Sequence, residues 1–114
     1  MVKNMDSKDW FQQGKEAMME GRIEDAIEAF DKSTGLDPSS FDAWWSLASA
    51  CNILGTQIEG ENDYARANLY KIKAAYSFNR ATRADPNDVR VPKAKAYADT
   101  IREAQKSKKE LGRF

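Results

Sequence analysis

The chain has 114 residues, room for one domain with a modest core. Its 41% apolar and 32% charged content, with three Trp, four Tyr and five Phe, excludes a disordered polymer. His is absent and Cys51 stands alone, which removes His-based catalysis, His- or Cys-ligated metal sites and intrachain disulfides. The formal charge is zero, yet residues 1–64 carry 5 basic and 13 acidic side chains and residues 65–114 carry 13 basic and 5 acidic.

No segment approaches eighteen uninterrupted apolar residues, and the opening Met-Val-Lys-Asn-Met-Asp lacks the apolar run of a leader. A soluble, cytoplasmic chain without metal or cofactor is the expectation.

In chain order, a first helix carrying Trp10 and Gly14 is expected to end at Gly21, which tolerates a left-handed backbone. A second carries Ala26 and Phe30 and closes at Gly35-Leu36, with Asp37-Pro38 blocking continuation. Ser39 with Asp42 then reads as an acidic capping box for a third. Its apolar series Trp44, Leu47, Ala48, Cys51, Leu54 and Ile58 keeps helical spacing through Gly55. Gly60-Glu61-Asn62-Asp63 supplies turn chemistry, with Asn62 or Asp63 as the next cap. From Tyr64 to Ala84 there is no Pro or Gly, which predicts a long fourth helix. Residues 91–110 read as a fifth, with Pro92 in its first turn, apolar Ala94, Tyr97, Ala98, Ile101 and Ala104, and a lysine-rich remainder. The tail from Leu111 to Phe114 is expected to fray.

The chain also repeats itself. Trp10 and Trp44, Gly14 and Ala48, and Gly21 and Gly55 are each 34 residues apart. Ala26, Phe30, Thr34 and Asp37-Pro38 recur 48 residues on as Ala74, Phe78, Thr82 and Asp85-Pro86, which is the same period with an insertion of 14. This pattern resembles the tetratricopeptide repeat (TPR), a helix–turn–helix unit of about 34 residues. The resemblance covers residues 7–88. It implies an all-α superhelix of two antiparallel hairpins, units 7–40 and 41–88, with the C-terminal helix as a solvating cap. The insertion, around residues 56–70, is expected to lengthen both helices of the second hairpin. In both units the Trp is expected to fill the gap between the helices, while Gly14, Ala48, Ala26 and Ala74 permit close approach.

TPR proteins bind partner segments in a groove lined by the first helix of each unit. Carried over, that stripe is Phe11, Lys15 and Met18, then Trp45, Ser49 and Asn52, continued by Lys93, Tyr97 and Thr100. Phe11 and Trp45 also read as packing between adjacent first helices, and both readings stand. The chaperone-tail clamp of some TPR proteins falls here on Phe11, Lys15, Ser46, Arg90 and Ala94, so only two basic groups remain, against that specificity. The resemblance thus implies a non-enzymatic protein-interaction module.

The fourth helix has a second apolar face, Ala65, Leu69, Ile72 and Tyr76, about 180° from the first. It is expected to pack on the final helix; the alternative is a dimer or partner surface, making the chain a self-assembling structural module. A basic face interleaved with aromatics over residues 70–83 lacks any nucleic-acid motif and reads as a solvated helix face. Glu59, Glu61 and Asp63 do not follow the ligand order of an EF-hand and read as an exposed acidic turn. Cys51 lies on the core stripe as inert packing.

Overall fold

The computed structural model describes residues 4–112, in which five α-helices and no strand are found. They are α1 (Ser7–Met19), α2 (Ile23–Leu36), α3 (Phe41–Gly60), α4 (Tyr64–Ala84) and α5 (Val91–Glu110). Each packs chiefly on its chain neighbours, the α3–α4 interface being the most extensive. The result is an elongated body of 53 × 32 × 20 Å with one continuous hydrophobic cluster from Ala17 to Ile101.

Local chemistry accounts for the helix ends. Asp6 caps α1 and exchanges bonds with Asp9 in a capping box. Gly21, at φ 78°, takes the left-handed turn into α2. The lengthened second hairpin is present: α3 runs through Gly55 to Gly60, and α4 starts after a three-residue turn. In that turn Asn62 has φ 64°, and Asp63 Oδ1 accepts from the Arg66 amide. The second helix closes at Gly35-Leu36, as expected, though with no left-handed backbone at Gly35. Two expectations are corrected. The cap of α3 is Ser40, whose hydroxyl accepts from Ala43 N, while Ser39 donates to Asp37 Oδ1 instead. In α5 the buried position expected at Ala104 is taken by Gln105.

The 48-residue correspondence extends to atomic detail. Thr34 Oγ1 donates to Asp31 O and Thr82 Oγ1 to Asn79 O, the same i−3 bond. Asp37 and Asp85 end their helices at φ −139° and −144°, and each carboxylate accepts from the backbone amide two residues on. Lys32 lies over the Trp10 ring at 4.2 Å and Arg80 over Trp44 at 4.6 Å, so the cations also sit 48 residues apart. The two Trp differ in depth. Trp44 is buried, its indole N–H donating to Pro38 O, whereas Trp10 is only half-buried and outside the core cluster.

Close approach is set by small residues. A Cβ on Gly14 would lie 2.4–2.8 Å from the Phe30 ring, so α1 rests directly on that aromatic. Ala48, Ala74, Ala94 and Ala98 are fully buried and play the same part between α3, α4 and α5. The charge split is softened where helices meet: Arg66 pairs with Glu24 at 3.4 Å and Lys73 with Asp31 at 2.7 Å. No described helix is long and apolar enough to cross a membrane.

Candidate partner-binding groove

Two shallow depressions join at Ser49. One, about 380 Å³, is lined by Lys15, Met18, Met19, Phe30, Trp45, Ser46 and Ser49. The other, about 320 Å³, is lined by Ser49, Asn52, Ile53, Phe78, Tyr97, Thr100 and Ile101. Together they make a surface running from α1 across α3 to α5. Seven residues of the expected stripe therefore share one surface: Lys15, Met18, Trp45, Ser49, Asn52, Tyr97 and Thr100. Phe11 and Lys93 line neither depression. Phe11 packs half-buried on Phe30 at 5.8 Å beneath the Lys15 ammonium, and Lys93 is exposed one turn before Tyr97.

Trp45 is wall and packing at once. Its ring centroid is 5.3 Å from Phe78, 5.8 Å from Tyr97 and 5.8 Å from Phe41, and it stays half-buried. Such pairs add about 0.5–1.5 kcal/mol each beyond burial, which gives the groove a rigid aromatic centre.

No family model, curated protein or solved structure matches this chain. The surface therefore has to be read from its own chemistry.

Arg90 fixes how α5 enters the groove. Its guanidinium holds both Asp88 carboxylate oxygens at 2.9 and 2.8 Å, reaches Asp42 Oδ1 at the start of α3 at 2.7 Å, and lies 4.4 Å from the Phe41 ring. The Arg90 hydrogen bonds hold the Asp88 carboxyl down at about 2, below the ordinary carboxylate range. A depressed carboxylate stabilises the fold fully above its unfolded pKa, and that contribution disappears as pH falls through about 2. Asp88→Asn is accordingly expected to lower the melting temperature at pH 5, and the gap to wild type should close at pH 2 in thermal scans. A gap independent of pH would refute this linkage.

A polar cluster that periodicity does not reveal lies behind the second depression. Lys71 is only 9% exposed. Its Nζ donates to Asn52 Oδ1 at 2.7 Å and to Thr56 Oγ1 at 2.6 Å, with Glu59 at 3.8 Å. Glu59 also pairs with Lys108 of α5, and Gln105 Nε2 donates to Asn68 Oδ1 at 3.0 Å. Burial pushes the Lys71 ammonium below its ordinary pKa. Gly55 makes room for it, since a Cβ there would touch the Lys71 stem at 3.1–3.2 Å. The signal was present in sequence as Asn52, Thr56 and Glu59 at i, i+4 and i+7, facing a Lys one turn from Ala67 and Ala75. Two readings change. Asn52 is committed partly to Lys71, and Glu59 turns inward to two lysines rather than joining an exposed acidic turn.

The face expected to pack on α5 does not. Ala65, Leu69, Ile72 and Tyr76 are all exposed, and α5 instead settles on the neighbouring edge of α4 that carries Asn68 and Ala75. The physical reason is rotation: α5 buries Ala94 and Ala98 and sets Tyr97 on Phe78 of α4, which leaves Ile72 on the exposed side of the contact. Cys51 is fully buried, and burial raises its thiol to about 12. Native protein at pH 8 should therefore react negligibly with a thiol reagent and stoichiometrically after denaturation; fast native labelling would contradict this placement.

Proposed function

We propose that this chain is a TPR-like helical-repeat module that binds a segment of a partner protein, without enzymatic activity, along the surface from Lys15 to Thr100. The observation that carries the reading is the pair of depressions meeting at Ser49, because it aligns one face of α1, α3 and α5. Further support comes from the repeated chemistry at Thr34 and Thr82 and at Asp37 and Asp85. The surface offers an aromatic anchor, Trp45, an apolar Met18, hydroxyls from Ser49 and Thr100, and one exposed cation, Lys15. An extended or helical segment with an apolar side chain for the Trp45 wall and a carboxylate for Lys15 suits it.

The test uses substitutions that leave the aromatic packing intact. Lys15→Ala with Ser49→Tyr removes the cation and fills the junction of the two depressions. Partners recovered from native lysate by wild-type protein should be lost from the double variant, with a weakening of about tenfold or more. Trp emission should shift on binding. Retention of the same partners at unchanged affinity would refute the groove.

A further inference from the structure

Leu69, Ile72 and Tyr76 form an uncovered apolar stripe on α4, at 68%, 56% and 47% exposure. Beside it, between α4 and α5, lies a depression of about 300 Å³ whose apolar lining is Ile72, Ala75 and Ile101. Arg102, Lys106 and Lys109 line its α5 edge. Their spacing of i, i+4 and i+7 sets them in one row along about 10 Å of helix. Among the described residues none of the three has an ion-pair partner. The opposite edge of the stripe is different: its cations Arg66 and Lys73 are already matched by Glu24 and Asp31 of α2. Arg80, on that same edge, lies over the Trp44 ring and donates to the Tyr76 hydroxyl. The stripe is thus flanked by an edge whose cations are engaged within the fold and by an unmatched cationic edge on α5.

We propose that this α4–α5 face docks an acidic amphipathic helix of a partner protein. The partner's apolar stripe lies on Leu69, Ile72 and Tyr76, and its carboxylates, spaced i, i+4 and i+7 on one flank, face Arg102, Lys106 and Lys109. A second copy of this chain fits poorly. A two-fold contact sets the cationic row against itself or against the α2 edge, where Glu24 and Asp31 are already paired. The other carboxylates of α2 offer no better match, because Asp25 is held by Arg22 at 2.9 Å and Glu28 by Lys32 at 3.4 Å. A flat lipid surface does not follow a depression bordered by cations along one edge.

The probe is a fluorescein-labelled synthetic helix with Leu at i, i+3, i+4 and i+7 and Glu along one adjoining flank. A version with Lys replacing Glu is the control. Titrated with the full chain and read by anisotropy, the Glu helix should bind saturably, and more weakly as salt rises. Lys106→Glu with Lys109→Glu should weaken it by about tenfold or more, and the Lys helix should not bind wild type. Both lysines are exposed, so unchanged helicity by circular dichroism confirms that the variant folds. The groove variant Lys15→Ala with Ser49→Tyr should bind the Glu helix as wild type does, which separates this face from the groove. Four results overturn the proposal: no saturable binding up to about 1 mM; equal binding of the Lys helix; undiminished binding by the charge-reversed variant; or competition of the Glu helix with self-association that Ile72→Glu abolishes. Binding to vesicles of equal parts phosphatidylserine and phosphatidylcholine, lost in the charge-reversed variant while the Glu helix fails to bind, assigns the face to lipid and overturns it as well.

Discussion

Gly14→Ala is expected to lower the stability of the fold by about 2 kcal/mol, and the melting temperature by about 10 °C. The added methyl would sit 2.4–2.8 Å from three atoms of the Phe30 ring, a distance no Cβ tolerates. Phe30 is 1% exposed and held in the core, so either its ring or α1 must shift. Overpacking of this kind costs about 3 kcal/mol, and the better helix propensity of Ala returns about 1 kcal/mol. Gly35→Ala isolates the propensity effect, because a Cβ there meets nothing within 4 Å. It should stabilise by about 0.5–1 kcal/mol. Chemical denaturation of the two variants checks both signs. Adding Phe30→Leu to Gly14→Ala should return part of the loss, and an unshifted midpoint for Gly14→Ala alone would show that α1 does not rest on Phe30.

Removing Glu59 should be at least as damaging, while removing the lysine it serves should not be. Glu59→Leu leaves the Lys71 and Lys108 ammonium groups close together with no carboxylate between them, in a region where Lys71 is only 9% exposed. A loss of about 2–3 kcal/mol is expected. Lys71→Met keeps the aliphatic stem that packs on Gly55 and eliminates a charge whose ionised form burial already disfavours. Glu59 retains Lys108, and Thr56 is exposed to water, so the change should fall between neutral and about 2 kcal/mol stabilising. The two substitutions share partners, so the cost of Glu59→Leu should shrink in the Lys71→Met background. A double-mutant cycle from denaturant midpoints measures this; a Lys71→Met variant destabilised as much as Glu59→Leu would show that the lysine holds the cluster together.

The polar cluster also shows where periodicity reaches its limit. Asn52 was legible as a groove residue from its place on α3, and it does line the second depression. Its bond to Lys71 was not legible, because a lysine in a helical stripe reads the same whether its ammonium reaches solvent or folds onto a neighbouring helix. Lys15, Met18, Trp45, Ser49 and Tyr97, grouped by the repeat resemblance, line the two depressions that meet at Ser49. Phe11 falls outside because its ring packs on Phe30, and Lys93 is exposed at the start of α5, one turn before Tyr97.

What the sequence by itself determined are the features governed by near neighbours in the chain. The left-handed turn at Gly21, the Asp63 cap, the unbroken α3 through Gly55 and the matched Asp-Pro stops at 37–38 and 85–86 each depend on residues within one or two turns. The tertiary structure alone decided how each helix is rotated about its axis. That rotation follows from which small residues, Gly14, Ala48, Ala94 and Ala98, meet which partners. It leaves Ile72 in solvent and draws Lys71 inward. It also matches Arg66 and Lys73 to the acidic first half. The opposing charges of the two halves are therefore partly offset where α2 meets α4, and an unmatched cationic row remains on α5.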